Sequence, residues 1–278
     1  MSERQLVIRG QVMNLKVSGR EDLPTIVFLH GFTGSVSTWQ EVWDSLEGSF
    51  RLIAVDLMGH GKSAKPSDAS RYEMAAQLAD LDALFAELKL NNFTLVGYSM
   101  GGRIALAYTR EYPDHVKSLI LESTSPGLRT AEERALRVAA DLKLAKRIEA
   151  EGIEHFVDFW EQIPLFQSQR NLSVEVRRKV REERLGQDEK GLSRSLQGIG
   201  TGSQPSYWSV LGEMTCPILL ITGEIDGKFV GISREMKNKF PSSVHEIVKN
   251  AGHAIHVEKP TLFATMIKEH MIKIQGGN

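Results

Sequence analysis

The sequence predicts an α/β fold: a mostly parallel central sheet flanked by helices, with a helical cap inserted between two strands. Three observations carry that expectation. Short apolar runs alternate with longer segments of helical periodicity, the pattern of a parallel sheet whose crossovers are helices. The middle runs are apolar throughout, as suits strands buried on both faces. The rhythm then breaks once, between about residues 124 and 213, where helical periodicity continues without a convincing strand.

Taken in order, the expected strands are QLVIRG, NLKVSG, TIVFLH (25–30), RLIAVD (51–56), FTLVGYS (93–99), VKSLILES (116–123), PILLITG (217–223) and VHEIVKN (244–250). Helical periodicity fills AAQLADLDALFAELKL (75–90), IALAYTREY (104–112) and, after Pro260, TLFATMIKEHMIKI. SPGL at 125–128 and GIGTGSQPS at 198–206 supply breaker chemistry near the two ends of the insert. The expected organisation is therefore a core of residues 1–123 and 214–278, with residues 124–213 as a helical cap. No internal repeat or low-complexity tract interrupts it.

At 278 residues, 41% hydrophobic and 25% charged, the chain can bury a core for one large domain plus an insertion. A formal net charge of -1 gives no global field toward nucleic acid or an anionic membrane, so any recognition of anions has to be local. The opening MSERQLVIRG lacks an apolar run of signal-peptide length, and no later stretch suits a membrane span; a cytoplasmic protein is the expectation. The single cysteine, Cys216, has no partner for an internal disulfide or a cysteine metal site and reads as a buried strand thiol.

Chemistry concentrates in GYSMG, residues 97–101, which fits G-x-S-x-G with a strand signal before it and an apolar helix after it. In that setting Ser99 is exposed on a turn too tight for side chains two residues to either side. A serine of this kind needs a base and an orienting acid, which in this architecture follow in the order Ser, acid, His. Asp226 lies just past PILLITG and His253 just past VHEIVKN, both at the carboxyl ends of strands, where open parallel sheets place their sites. Glu224 is the rival acid and His256 the rival base. Charge developing on a substrate oxygen calls for two fixed donors, here the backbone N–H of Met100 after the serine and that of Phe32 in His30-Gly31-Phe32. GHGKS could suggest a phosphate-binding loop, but the first glycine of that motif would fall on Asp56, so no nucleotide site is expected. The constellation requires no cofactor and no metal.

Arg103 stands four residues after Ser99 and so shares its helix face. A charge buried there is expensive unless paired, by an internal acid or by an anionic ligand. Further arginines follow in the insert: Arg129, Arg134, Arg137, Arg177, Arg178, Arg181 and Arg184. They are interleaved with Glu132, Glu133, Glu182 and Glu183, as on solvated helix faces.

With these residues in place, the chain resembles α/β-hydrolase-fold enzymes over nearly its full length, since HGFTGS, DLMGHGKS, GYSMGGR, GEIDGKF and AGHAIHVEKP fall in family order. Position 99 is serine, which excludes dehalogenase chemistry through an aspartate nucleophile. ESTSPGLRTAEERALR, FVDFWEQIPLF and the arginine-rich helix resemble one subgroup, the 2-succinyl-6-hydroxy-2,4-cyclohexadiene-1-carboxylate synthases of menaquinone biosynthesis. The resemblance implies a lyase that eliminates pyruvate from a cyclohexene bearing several carboxylates. It implies Arg103, Arg137 and Arg184 as carboxylate-binding residues, with Arg181 open as an alternative to Arg184, and Trp160 and Tyr98 on the pocket wall. The implied partner is a small-molecule polycarboxylate substrate, not nucleic acid or membrane, and a monomer is compatible with the site. A serine hydrolase acting on an ester or an acidic carbon-carbon substrate, and a non-catalytic receptor on the same fold, use the same signals.

Overall fold

A computed structural model describes residues 2–276. Its sheet has eight strands: β1 (Ser2–Ile8), β2 (Gln11–Ser18), β3 (Thr25–Leu29), β4 (Arg51–Val55), β5 (Phe93–Tyr98), β6 (Val116–Glu122), β7 (Ile218–Gly223) and β8 (Ser243–Val248). They lie in the order β1-β2-β4-β3-β5-β6-β7-β8. The β1–β2 and β2–β4 pairings are antiparallel, and every pairing from β4 to β8 is parallel. The helices are α1 (Gln40–Leu46), α2 (Met74–Glu87), α3 (Met100–Glu111), α4 (Ala131–Trp160), α5 (Val174–Leu185), α6 (Glu189–Ile199), α7 (Gly227–Lys237), α8 (Ile255–Glu258) and α9 (Pro260–Gly276).

The central strands are buried on both faces, and their residues alternate between two apolar layers. Ile26 and Phe28 of β3 and Leu52 and Ala54 of β4 join Trp39, Trp43 and Phe263 on the side of α1 and α9. Val27, Leu29, Ile53 and Val55 face the other way, toward Leu81 and Leu84 of α2 and Ile104 and Tyr108 of α3. Strand order reverses about β3, so the loops after β3 and β5 diverge and open a crevice at the carboxyl edge. Phe32 lies in the first loop and Ser99 in the second.

Between β6 and β7 the chain forms α4, α5 and α6 and no strand. Thr130 caps α4 in a reciprocal capping box with Glu133, and α4 breaks at Gly152, where φ is 85°. The insert has an apolar cluster of its own, with Ala145, Ile148, Phe156, Val157, Leu192 and Leu196, and Phe32 of the core packs against it. Cys216 departs from expectation: it precedes β7, is half-buried, and burial pushes its thiol up to about 11. Among the described residues, no helix is long and apolar enough to cross a membrane.

Candidate active site

The turn at Ser99 is built by close packing. A Cβ on Gly101 would stand 2.1 Å from the Leu29 carbonyl oxygen, and one on Gly97 would stand 2.6 Å from the Gly101 carbonyl oxygen. Strand and helix can approach this closely only because both positions lack a side chain. The strain falls on the residue between them: Ser99 has φ 49° and ψ -106°, a backbone state that persists only when the surroundings over-determine it. They do so here. Ser99 N–H donates to the Glu122 carbonyl at 2.9 Å, and the Thr124 hydroxyl donates to the Ser99 carbonyl at 2.7 Å.

His253 Nε2 lies 3.0 Å from Ser99 Oγ, and its Nδ1 lies 2.6 Å from Asp226 Oδ2. The carboxylate fixes the tautomer, with the proton on Nδ1 and Nε2 left to accept from the serine. Asp226 also caps α7, taking the Phe229 N–H on Oδ1 at 3.4 Å, so its orientation is held from both sides. The rivals go elsewhere. Glu224 accepts from the Asn250 N–H, and His256 is bound to Glu122, with Nδ1 2.8 Å from Oε2 and its backbone N–H 3.0 Å from Oε1.

Met100 N–H opens α3, where a helix has no internal acceptors for its first donors. The loop carrying Phe32 is pinned by His30, whose Nδ1 donates to the Gly31 carbonyl and whose Nε2 accepts the Leu57 N–H at 3.0 Å. Burial lowers the basicity of His30, which keeps that ring neutral and able to accept. Among the described residues, neither the Phe32 nor the Met100 N–H donates to a protein acceptor. Phe32, Ser99 and Met100 line one cavity, which makes these two N–H groups the candidates to hold a developing oxyanion.

Ser99 and His253 open into a cavity of about 330 Å³, whose wall includes Tyr98, Arg103, Arg137, Trp160, Phe166 and Trp208. Arg103 is buried, and its Nη1 donates to the Ile199 carbonyl at 2.8 Å and to Gln204 Oε1 at 2.6 Å. It has no carboxylate within salt-bridge distance among the described residues, so the internal ion pair left open by the sequence is absent. Burial, and next the nearby Arg137, push Arg103 down to about 10, which leaves it cationic at neutral pH. Arg137 is half-exposed and uses Nε on Asp141, four residues on, at 2.7 Å.

Arg184 stands one recess away from Arg103 and Arg137. It is buried in a smaller recess that adjoins this cavity and shares Phe32, Tyr98 and Phe166 with it. There its guanidinium stacks 4.6 Å from the Phe166 ring centre and its Nη2 donates to Gln169 Oε1 at 3.1 Å. Glu161 Oε1 lies 3.5 Å away, and burial lowers the Arg184 pKa. Arg181, the alternative, bonds Glu161 and Asp158 on the outer face of the insert. Sequence reasoning missed the rim. Arg129, read as a solvated helix residue, stacks 3.7 Å over Trp208 and pairs with Glu235, and all three line the cavity mouth with Lys228. In the sequence only the breaker cluster at 198–206 marked that region, and it carried no chemical signal.

Residues 24–260 match the family model for the alpha/beta hydrolase fold. A protein of Bacillus subtilis (strain 168), provisionally named 2-succinyl-6-hydroxy-2,4-cyclohexadiene-1-carboxylate synthase, is 47% identical over 249 residues, 90% of each chain. An enzyme of that name from Enterobacter sp. (strain 638) is 32% identical over 91% of this chain and 93% of its own. The solved structure of MenH from S. aureus superposes with a TM-score of 0.90 at 36% identity, covering 95% of this chain and 98% of that one. This chain belongs to the α/β-hydrolase fold family and, within it, to the family of 2-succinyl-6-hydroxy-2,4-cyclohexadiene-1-carboxylate synthases.

Proposed function

We propose that this protein is a carbon-oxygen lyase. It eliminates pyruvate from 2-succinyl-5-enolpyruvyl-6-hydroxy-3-cyclohexene-1-carboxylate to give 2-succinyl-6-hydroxy-2,4-cyclohexadiene-1-carboxylate in menaquinone biosynthesis. The observation that carries the reading is Arg103: a buried cation with no carboxylate within salt-bridge distance among the described residues, on the wall of the cavity that holds Ser99 and His253. A cation so placed is stabilised when an anionic ligand enters, and a guanidinium matches a carboxylate with paired hydrogen bonds. Arg137 adds a second positive group, and Tyr98, Phe166 and Trp160 supply apolar walls for the ring.

In this reading the relay of Asp226, His253 and Ser99 removes the ring proton alpha to the succinyl carbonyl. The electron pair moves onto the carbonyl oxygen, which the Phe32 and Met100 N–H groups hold. Collapse of that dienolate breaks the carbon-oxygen bond to the enolpyruvyl group, and the departing enolate regains a proton to become pyruvate. No acyl-enzyme forms. The same Ser99–His253 contact of 3.0 Å also suits nucleophilic attack, which favours a serine hydrolase as the second reading. Supplying the enolpyruvyl cyclohexene and an activated neutral ester to the purified protein separates them. Pyruvate release well above ester cleavage is expected; rapid ester cleavage without pyruvate overturns the lyase reading.

A further inference from the structure

Gln204 sits in the stretch that the sequence marked only as a breaker, yet it is buried and is the side-chain partner of Arg103. Its orientation is set by its neighbour, because Arg103 Nη1 can be met only by the amide oxygen. The amide nitrogen has no partner among the described residues and faces Gly127, where a Cβ would stand 3.0 Å from it. The segments around them are tied together, with Tyr207 N–H donating to the Pro126 carbonyl at 2.7 Å and the Trp208 indole to the Gly127 carbonyl at 2.9 Å.

Both N–H bonds of Nη1 are thus consumed, by Ile199 and Gln204. The fork of Nε and Nη2, the edge that takes a carboxylate side-on, has no protein acceptor among the described residues. Both acceptors on Nη1 are neutral. A glutamate in place of Gln204 would have nearly the same shape and would neutralise the guanidinium where it stands. Asp141, the acid whose charge acts on Arg103, is already bonded to Arg137.

We propose that Gln204 is a positioning residue that holds Arg103 on the cavity wall while leaving its positive charge available to a ligand carboxylate. This rests on the reading of the cavity as a polycarboxylate site. Gln204 acts through Arg103 and selects for an anion by being an amide instead of an acid.

Succinate, a simple dicarboxylate, serves as the probe, with binding read by calorimetry on the wild type, Arg103→Ala, Gln204→Glu and Gln204→Met, each checked for folding by thermal unfolding. Gln204→Glu is expected to weaken succinate at least about 30-fold through loss of the free charge, and Gln204→Met about 5-fold through loss of aim alone. Binding by Gln204→Glu as tight as by Gln204→Met overturns the proposal, as does wild-type binding no tighter than that of Arg103→Ala. If Gln204→Glu does not fold, Gln204→Met decides: wild-type affinity in that variant overturns the positioning role. Steady-state lyase kinetics supply a readout beyond fold, since Gln204→Glu should raise KM far more than it lowers kcat. Succinate binding does not depend on pyruvate elimination, so failure of the lyase reading and failure of this one are told apart.

Discussion

Two histidines three residues apart, each bonded through Nδ1 to a carboxylate, serve opposite ends of the same loop. His253 meets Asp226 at 2.6 Å and turns Nε2 to Ser99 on the cavity wall. His256 meets Glu122 at 2.8 Å and is enclosed by Trp39 and Tyr98, with ring centres 4.8 and 4.5 Å away. Residue types and pair geometry are nearly the same; the third partner and the access differ. A histidine–carboxylate pair becomes chemistry when its free nitrogen faces a nucleophile and a cavity. Enclosed by rings, and with Glu122 closing β6 directly beneath the elbow, the other pair fastens the loop that carries the first.

The comparison predicts opposite losses. Replacing Ser99 by alanine should lower turnover by about 10³ to 10⁴ while leaving the unfolding midpoint close to wild type. Replacing His253 should lower turnover as far, with a smaller loss of stability than at His256, because Asp226 keeps the Phe229 N–H. Steady-state rates beside a denaturant titration check this; a large loss of stability would erase the contrast. Replacing His256 by alanine leaves Glu122 as a buried carboxylate without its partner and should cost about 3–5 kcal/mol of stability, with far less effect on turnover per folded molecule.

Smaller effects sharpen the same contrast on the cap side. Arg137→Gln removes a half-exposed cavity cation and should raise KM about tenfold, with kcat changed less. Glu183 gives the smallest effect. It reaches from α5 to the core, accepting from the hydroxyls of Ser35 at 2.6 Å and Thr38 at 2.7 Å, and burial pushes its carboxyl up. The folded state then binds its proton more tightly than the unfolded state does. This contribution to stability therefore falls as pH rises from the unfolded value near 4.5 through the raised folded one. Glu183→Gln keeps both hydroxyl contacts and should flatten the pH dependence of the unfolding midpoint in that window, raising it slightly at neutral pH.

The strands were legible because parallel strands buried on both faces write themselves as unbroken apolar runs, and Ser99, Asp226 and His253 because each follows such a run at the carboxyl edge. The short helices α1, α7 and α8 were not, since packing against the sheet stabilises them more than any periodicity in so few residues. The role of Glu122 was hidden as well: in sequence it is the last residue of a strand, and only the return of the chain after β8 brings His256 to it. Arg184 and Gln204 show the limit from both sides. Arg184, set among glutamates in the sequence, is buried over Phe166 beside the cavity, and Gln204 carries no charge in a loop yet bonds Arg103. Both placements are set by how the insert docks, and no local pattern encodes that.

The most direct test is the ratio of pyruvate release from the enolpyruvyl cyclohexene to cleavage of an activated neutral ester, measured for the wild type and for Arg103→Ala. If the buried cation recognises a substrate carboxylate, the substitution should lower lyase kcat/KM by about 10² and change ester cleavage little, so that the ratio collapses. An equal loss in both reactions would make Arg103 a structural residue and contradict the account.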